Sequence, residues 1–228
     1  MRFYRFAITL LFIFTCFSVF SQTAPAGMPQ EALQNYRIGR DLEAESRMEE
    51  ADRYYAEAVR ICMDEISRNA ATMDTYAALT WTLRRQRKFA EVISWGERAL
   101  QINANDYRII ETMGEAYFYL NDYPRSLNFM QRYVNFLPRG EQAPMAYFFI
   151  GEIFRLQGRF RHADIAYTTA LQLAPHISLW WYRLGAVREA AGDYVPAIQA
   201  YEQALRINPN YPEASQGLER VRSSRNEI

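Results

Sequence analysis

Residues 178–211 read SLWWYRLGAVREAAGDYVPAIQAYEQALRINPNY, and residues 144–177 read PMAYFFIGEIFRLQGRFRHADIAYTTALQLAPHI. The two segments align without a gap over their whole length. Identical residues recur at the paired positions Gly151 and Gly185, Gly158 and Gly192, Tyr167 and Tyr201, and Pro175 and Pro209. A period of this length is typical of stacked helix pairs, in which each copy packs only against its neighbours. We therefore expect an all-α solenoid without a single central core, whose function lies in a binding surface.

Three further copies precede these two and become less regular toward the N-terminus. They cover 32–65, 73–106 and 107–140, with short insertions at 66–72 and 141–143. We number the five copies repeats 1 to 5 in chain order. Apolar residues recur at helical spacing in both halves of each repeat, which predicts helices at roughly positions 1–14 and 18–31. Five copies exceed the roughly three that a solenoid needs to bury its faces.

Each copy resembles a tetratricopeptide repeat (TPR). That family has a large residue at position 4, Leu-Gly at 7 and 8, aromatic residues at 11 and 24, small residues at 20 and 27, and proline at 32. Repeat 4 has isoleucine for leucine and otherwise matches throughout, with Tyr147, Ile150, Gly151, Phe154, Ala163, Tyr167, Ala170 and Pro175. The departures include Thr80, Val92 and Gly96 in repeat 2, Ser126 and Tyr133 in repeat 3, and Arg188 in repeat 5. The resemblance implies a right-handed superhelix of five repeats, closed by a C-terminal capping helix over 212–228.

The N-terminus has the layout of a secretory signal peptide. A short basic start is followed by the uncharged stretch 6–20, and small residues precede Gln22. We expect residues 1–21 to be removed and 22–31 to form a flexible linker, which places the protein outside the cytoplasm, in a bacterial periplasm. The alternative is an uncleaved membrane anchor, although the apolar run is shorter than the roughly 20 residues that span a bilayer. Phe14 and Thr15 before Cys16 argue against a lipidated N-terminus.

Charge and cysteine content exclude several partner classes. The chain has 26 basic and 26 acidic residues, and removal of 1–21 takes away only Arg2 and Arg5. Such a balance argues against a nucleic acid partner, because phosphate binding requires a strong positive excess. Cleavage would leave Cys62 as the single cysteine, so no intramolecular disulfide is expected. The oligomeric state does not follow from the sequence.

No residue pattern points to catalysis, and we expect neither a cofactor nor a metal. The two histidines, His162 and His176, lack a third ligand in the pattern of a zinc site. Motifs for nucleophilic serine hydrolysis, zinc peptidases and phosphate loops are missing from the sequence. We therefore predict a protein that is not an enzyme.

The resemblance instead implies binding in a concave groove. In TPR proteins the first helix of each repeat lines this groove through positions 2, 5, 9 and 12 to 13. Carried onto this sequence, the candidate partner-binding residues are Tyr36, Arg40, Trp81, Arg84, Arg85, Glu111, Glu115, Phe118, Tyr119, Phe148, Glu152, Arg155 and Tyr182, with Arg183 on the flank. Glu43, Arg108 and Glu189 fall at the same set of positions. Aromatic side chains and arginines would hold a peptide or helix by stacking and bidentate contacts.

Two alternatives to this interpretation stay open at the level of sequence. The aromatic residues can pack against neighbouring helices, and the arginines and glutamates can pair with each other and bind nothing. A different function is a ligand-binding accessory subunit of a transport system, enclosing a small molecule or lipid tail among Trp81, Phe118, Phe148 and Tyr182. TPR domains that clamp a chaperone's C-terminal carboxylate have lysine at position 5 and asparagine at position 9, and no repeat here has that pair. The leading hypothesis is a cell-envelope scaffold that binds a protein or peptide partner.

Overall fold

The computed structural model describes residues 30–226, which form eleven α-helices and contain no strand. In order they are α1 (Gln30–Ala44), α2 (Met48–Ser67), α3 (Met73–Arg85), α4 (Phe89–Ile102), α5 (Tyr107–Tyr119), α6 (Tyr123–Phe136), α7 (Ala143–Leu156), α8 (Phe160–Leu173), α9 (Ser178–Ala190), α10 (Tyr194–Ile207) and α11 (Pro212–Asn226). Each helix packs against the next. The odd-numbered helices α1, α3, α5 and α7 also contact one another in sequence, so they lie side by side. The protein is an all-α repeat solenoid.

Each predicted repeat window holds one antiparallel helix pair, with small shifts at the insertions. Helix α2 runs on to Ser67, and Thr72 then caps the start of α3 by accepting a hydrogen bond from the Thr75 amide. Helix α7 begins at Ala143, one residue before the predicted start of repeat 4. The predicted signal peptide lies outside the described residues. So does the predicted linker, except residues 30–31, which begin α1.

The helix pairs are held close by a glycine that faces a tyrosine. In repeats 1, 4 and 5, a Cβ added to the glycine at position 8 would lie within 2.7 Å of the ring of the tyrosine at position 24. The three pairs are Gly39 with Tyr55, Gly151 with Tyr167, and Gly185 with Tyr201. All three tyrosines are buried. The Leu-Gly motif therefore reflects the space that a buried ring occupies between two helices.

In repeats 2 and 3, different side chains fill the space between the two helices at positions 8 and 24. Repeat 2 has a buried threonine, Thr80, at position 8 and a glycine, Gly96, at position 24. The side chain of Met113 from repeat 3 fills the space beside Gly96, since a Cβ there would lie 2.6 Å from its Cγ and Sδ. Repeat 3 keeps Gly114 at position 8 and packs Met130 against it. At these positions the helices are thus packed by methionine side chains rather than by a tyrosine ring.

A left-handed residue ends the first helix of every repeat. It stands at position 15 in each case: Ser46 (φ 63°), Arg87 (φ 58°), Asn121 (φ 61°), Gly158 (φ 71°) and Gly192 (φ 80°). Glycine and asparagine adopt this backbone conformation readily, whereas a long side chain strains it. Arg87 is therefore the unusual member of the set.

The last helix covers repeat 5. Ala214 and Val221 of α11 are buried, and a Cβ on Gly217 would lie 2.5 Å from the ring of Tyr201. Arg220 donates two hydrogen bonds to Glu189 in α9, at 2.9 and 3.0 Å. Helix α11 is thus anchored to both helices of the last repeat. Across residues 30–226, no helix combines the length and the apolar character needed to cross a membrane.

Candidate functional site

A cavity of about 920 Å³ opens on the side formed by the odd-numbered helices of repeats 1 to 3. Its wall comes from α1, α3 and α5, the turn between α3 and α4, the end of α6, and the segment that leads into α7. The lining residues are Leu33, Tyr36, Arg37, Arg40, Glu43, Trp81, Arg84, Arg85, Arg87, Phe89, Tyr107, Arg108, Glu111, Glu115, Tyr119, Tyr133, Leu137, Glu141, Gln142 and Met145. This volume lies in the range of known ligand sites.

The cavity brings together part of the predicted groove. Eight of the candidate residues line it: Tyr36, Arg40, Trp81, Arg84, Arg85, Glu111, Glu115 and Tyr119. The other six, Phe118, Phe148, Glu152, Arg155, Tyr182 and Arg183, do not. The predicted role of these residues in partner binding remains a prediction. The geometry thus divides the fourteen candidates into eight that line one cavity and six that lie outside it and contact other side chains.

The cavity contains a buried cluster of one arginine and two glutamates. Arg84 of α3 donates a hydrogen bond to Glu115 of α5, and its guanidinium lies 3.8 Å from Glu111. The exposed side-chain fractions are 17% for Arg84, 4% for Glu111 and 14% for Glu115. Glu111 Oε1 and Arg84 Nε are buried and have no hydrogen-bond partner among the described residues. The cluster therefore has one more carboxylate than it has cations.

Burial controls the ionisation of Glu111. Removal from water raises the pKa of its carboxyl to about 7, against the opposing effect of Arg84 and with a further increase from Glu115. For Arg84, burial acts to lower the pKa, but Glu115 and Glu111 outweigh it and the pKa is raised. The cavity thus contains a fixed cation next to a carboxyl group that titrates close to neutral pH.

Two aromatic pairs contribute the apolar part of the wall. Tyr36 and Trp81 lie with ring centroids 6.0 Å apart, joining α1 to α3. Phe89 and Tyr119 stack at 4.7 Å with 14° between their planes, joining α4 to α5. Tyr119 remains 43% exposed. Flat, rigid and partly exposed rings of this kind provide contact area at low entropic cost.

Most of the lining arginines have carboxylate partners. Arg85 lies 3.7 Å from Glu43, and Arg108 pairs with both Asp74 and Asp106. These ion pairs join neighbouring elements of the wall, and among residues 30–226 Arg37 and Arg87 are the lining arginines without a carboxylate partner. Such pairs hold the shape of the cavity rather than attract a ligand.

The predicted residues of repeats 4 and 5 form a separate polar cluster. Glu152 is buried and accepts hydrogen bonds from Tyr167 and Arg155, and Arg183 Nε lies 3.2 Å from it. Burial, followed by the adjacent Glu152, raises the pKa of Tyr167. These groups contact each other across α7, α8 and α9, although the buried Nε of Arg183 has no hydrogen-bond partner among residues 30–226. Their contacts fit the alternative in which charged groove residues pair internally.

The remaining predicted aromatic residues pack against other rings. Phe148 stacks on Trp180 at 5.0 Å and 13°. Phe118 contacts Phe149 at 4.8 Å, and Tyr182 lies 5.2 Å from Tyr211. The four rings suggested for a small-molecule or lipid pocket do not share this cavity, because only Trp81 of the four lines it.

Several residues that line the cavity were not predicted from the sequence pattern. Arg87 and Phe89 lie in and just after the turn of repeat 2, where positions counted along the first helix do not reach. Glu141 and Gln142 belong to the insertion 141–143. The signals available were the insertion itself and an arginine at a turn position that favours glycine. Leu33 and Met145 stand at position 2 of their repeats and could have been included.

No group of three or more His, Cys, Asp or Glu side chains within 30–226 is arranged to hold a metal ion. Cys62 is buried, and removal from water raises the pKa of its thiol to about 12. A thiol in this state is a poor nucleophile.

Two segments match tetratricopeptide repeat family models. The matches cover residues 178–211 and 146–177, which correspond to repeats 5 and 4. Both lie in the part of the chain where the 34-residue period is most regular.

Solved structures of similar fold are TPR proteins. MamA from Desulfovibrio magneticus RS-1, residues 41 to the end, superposes with a TM-score of 0.63 at 14% identity, covering 80% of this chain and 97% of that one. A crystal structure of YrrB, described as a TPR protein with an unusual peptide-binding site, gives a TM-score of 0.57 at 16% identity, covering 82% and 92%. At these identities the likeness concerns the fold alone.

A curated human protein matches this chain in sequence. It is protein O-mannosyl-transferase TMTC1 from Homo sapiens, 24% identical over 165 residues. The match covers 72% of this chain but only 18% of the human protein. The chain therefore spans less than a fifth of the length of that relative.

Proposed function

The chain is a tetratricopeptide repeat protein, and from that premise we propose that it is a non-catalytic scaffold which binds a segment of a partner protein in the cavity of repeats 1 to 3. The fold supports a protein–protein interaction scaffold in general. The specific assignment rests on one observation. The cavity combines partly exposed aromatic rings, arginines and a buried polar cluster around one open space, whereas the equivalent residues of repeats 4 and 5 pack against each other and against neighbouring rings.

The chemistry of the wall favours a peptide segment over a lipid tail. Six arginines and four glutamates are among its lining residues, and a purely apolar ligand would remove water from the exposed ones, Arg37 and Arg87 among them, without offering them a partner. A peptide offers both backbone hydrogen-bonding groups and side chains to this mixed surface. The peptide-binding site for which YrrB is described makes a peptide the first ligand class to test.

We also propose that the protein acts in the bacterial cell envelope after export. The support is the basic start and uncharged stretch of residues 1–21, which have the composition of a signal peptide. Fusion of the full chain to alkaline phosphatase, which is active only after export, tests this. A fusion that is active with the natural N-terminus and inactive after deletion of residues 2–21 is expected; activity without those residues would refute export by this segment.

Photo-crosslinking tests the binding site. The photoreactive residue p-benzoylphenylalanine is placed at Tyr119, which lines the cavity and is 43% exposed, or at Tyr54 of α2, which is 38% exposed and does not line it. Irradiation of cells should join a discrete partner protein to the Tyr119 variant and not to the Tyr54 variant. Equal products at both sites, or none at either, would contradict binding in this cavity.

A further inference from the structure

Arg87 occupies a backbone conformation that its side chain does not favour. It is the position-15 residue of repeat 2 with φ of 58°, where repeats 3, 4 and 5 have asparagine or glycine. A long side chain in this region is strained, and such strain persists where the surrounding structure or a function maintains it. The turn itself needs no arginine, since Asn121 forms the same turn in repeat 3 with φ of 61°.

The strained backbone places a guanidinium at the wall of the cavity. The Arg87 guanidinium carbon lies 5.9 Å from the ring centroid of Phe89 and 5.8 Å from that of Tyr119. These rings stack on each other, so the arginine is held over a rigid aromatic pair. The residue is otherwise exposed.

Arg87 differs from most of the other lining arginines in having no anion nearby. Among residues 30–226, ion pairs engage the lining arginines Arg40, Arg84, Arg85 and Arg108, and they leave Arg87 and Arg37 without a carboxylate partner. Arg37 of α1 is also exposed and lines the same cavity. Two exposed guanidinium groups that line one cavity without a carboxylate partner among residues 30–226 are each able to bind a carboxylate in bidentate fashion.

We propose that Arg87, with Arg37, is the specificity-determining element of the cavity and that the bound segment is a peptide carrying aspartate or glutamate side chains. This inference rests on the proposed function, because it names the chemistry of the partner segment at the same cavity. The wall also contains glutamates, among them Glu111, Glu115 and Glu141. A continuous polyanion would be repelled by them, whereas a peptide with separate acidic side chains between apolar ones meets both the arginines and the rings.

The test begins with selection of peptides on the purified protein. A phage-displayed library of random dodecapeptides is selected on the immobilised wild type and counter-selected on Trp81→Ala, which removes a ring of the cavity. The enriched peptides are synthesised with a fluorescent label, and their affinities are measured by anisotropy at low and high salt. The variants are Arg87→Asn, which introduces the residue type that repeat 3 has at the same turn, and Arg206→Gln, which removes an exposed charge of α10 outside the cavity.

The proposal expects enriched peptides with more acidic than basic residues. Arg87→Asn should weaken their binding about tenfold and reduce its salt dependence, while Arg206→Gln leaves both unchanged. The melting temperature of Arg87→Asn should be equal to or above that of the wild type, which separates a binding role from a structural one. Arg87→Lys should recover part of the affinity, because it keeps the charge but not the planar stacking.

Other outcomes overturn the inference in distinguishable ways. Enrichment of neutral or basic peptides, or acidic peptides that bind Arg87→Asn as tightly as wild type, would refute the role of Arg87 and leave the proposed function standing. If repeated selections enrich no peptide that prefers the wild type to Trp81→Ala, the result would count against both the role of Arg87 and the proposed function. A lower melting temperature with unchanged affinity would assign Arg87 to the fold alone.

Discussion

At the residue scale, glycine at position 8 is required by the side chain that faces it. A methyl group on Gly185 would lie 2.7 Å from the ring of Tyr201, and one on Gly217 would lie 2.5 Å from the same ring. At Gly114 the facing side chain is Met130, and the nearest approach is 3.1 Å. A thioether can rotate away, whereas a wedged ring cannot.

We therefore expect opposite results from one substitution at two equivalent sites. Gly185→Ala should lower the free energy of unfolding by about 1–2 kcal/mol, because overpacking exceeds the gain in helix propensity. Gly114→Ala should leave the free energy of unfolding unchanged or raise it by up to about 1 kcal/mol. Urea unfolding of both variants measures this. Equal losses at the two sites would show that backbone geometry, and not the facing side chain, requires the glycine.

The ionisation of Glu111 makes a second prediction at this scale. Burial raises the pKa of this carboxyl to about 7 in the folded protein, against roughly 4.3 in the unfolded chain. Between these values the folded state keeps a proton that the unfolded state has lost. The stabilisation is complete below the unfolded pKa and disappears as the pH rises through about 7.

Wild-type stability should thus contain a component of about 1–3 kcal/mol that is lost between pH 5 and pH 8. Glu111→Gln should remove this component, because an amide does not titrate. Glu202→Gln, at an exposed pair with Arg222, is the control and should keep it. Urea unfolding at the two pH values compares the three proteins, and an identical pH dependence in wild type and Glu111→Gln would refute the assignment.

The sequence predicts residue positions better than residue roles. Counting along a repeat places Arg84 at position 12 and Glu115 at position 9, both toward the concave side, and the structure has both at the cavity. The repeat position does not predict that Arg84 is buried in an ion pair with Glu115. Nor does it predict that Phe148 stacks on Trp180 of the next repeat. These contacts depend on the angle between neighbouring repeats, which the period does not specify.

At the scale of elements, the insertion 141–143 is anchored to the repeat before it. The Gln142 amide donates to the hydroxyl of Tyr133, which is buried although position 27 is usually small. The same hydroxyl lies beside Gly140, where an added Cβ would be 2.8 Å from it. A bulky residue at a normally small position therefore supports the segment that leads into α7 and closes one side of the cavity.

Tyr133→Phe should release this segment while keeping the ring. We expect a loss of about 1 kcal/mol in stability and faster hydrogen exchange at the Gln142 amide, because its acceptor is removed. Tyr147→Phe is the matched control, since the hydroxyl of Tyr147 has no partner among residues 30–226. Nuclear magnetic resonance exchange rates decide the matter: unchanged exchange at Gln142 would mean that the hydrogen bond does not hold the insertion.

At the scale of the whole molecule, stability passes from repeat to repeat through local interfaces. Helix α11 protects the end of the array through Ala214, Val221 and the contact of Gly217 with Tyr201. Truncation after Tyr211 should expose this surface. We expect hydrogen exchange measured by mass spectrometry to rise in α9 and α10 and to change little in α3, α4 and α5, because the latter share no contact with α11. A uniform rise along the chain would indicate a single cooperative unit instead.

Repeat 2 has threonine at position 8 (Thr80) and glycine at position 24 (Gly96), whereas repeats 1, 4 and 5 have glycine and tyrosine there. This difference has a consequence for how the chain can evolve. Arrays of equal repeats lengthen and shorten by recombination between copies, which preserves the reading frame. Here a copy with tyrosine at position 24 cannot take the place of repeat 2, because its ring would occupy the volume that Met113 fills beside Gly96. The contact of Met113 with Gly96 therefore makes repeats 2 and 3 depend on each other. We expect recombination to keep these two repeats together and in this order at the cavity.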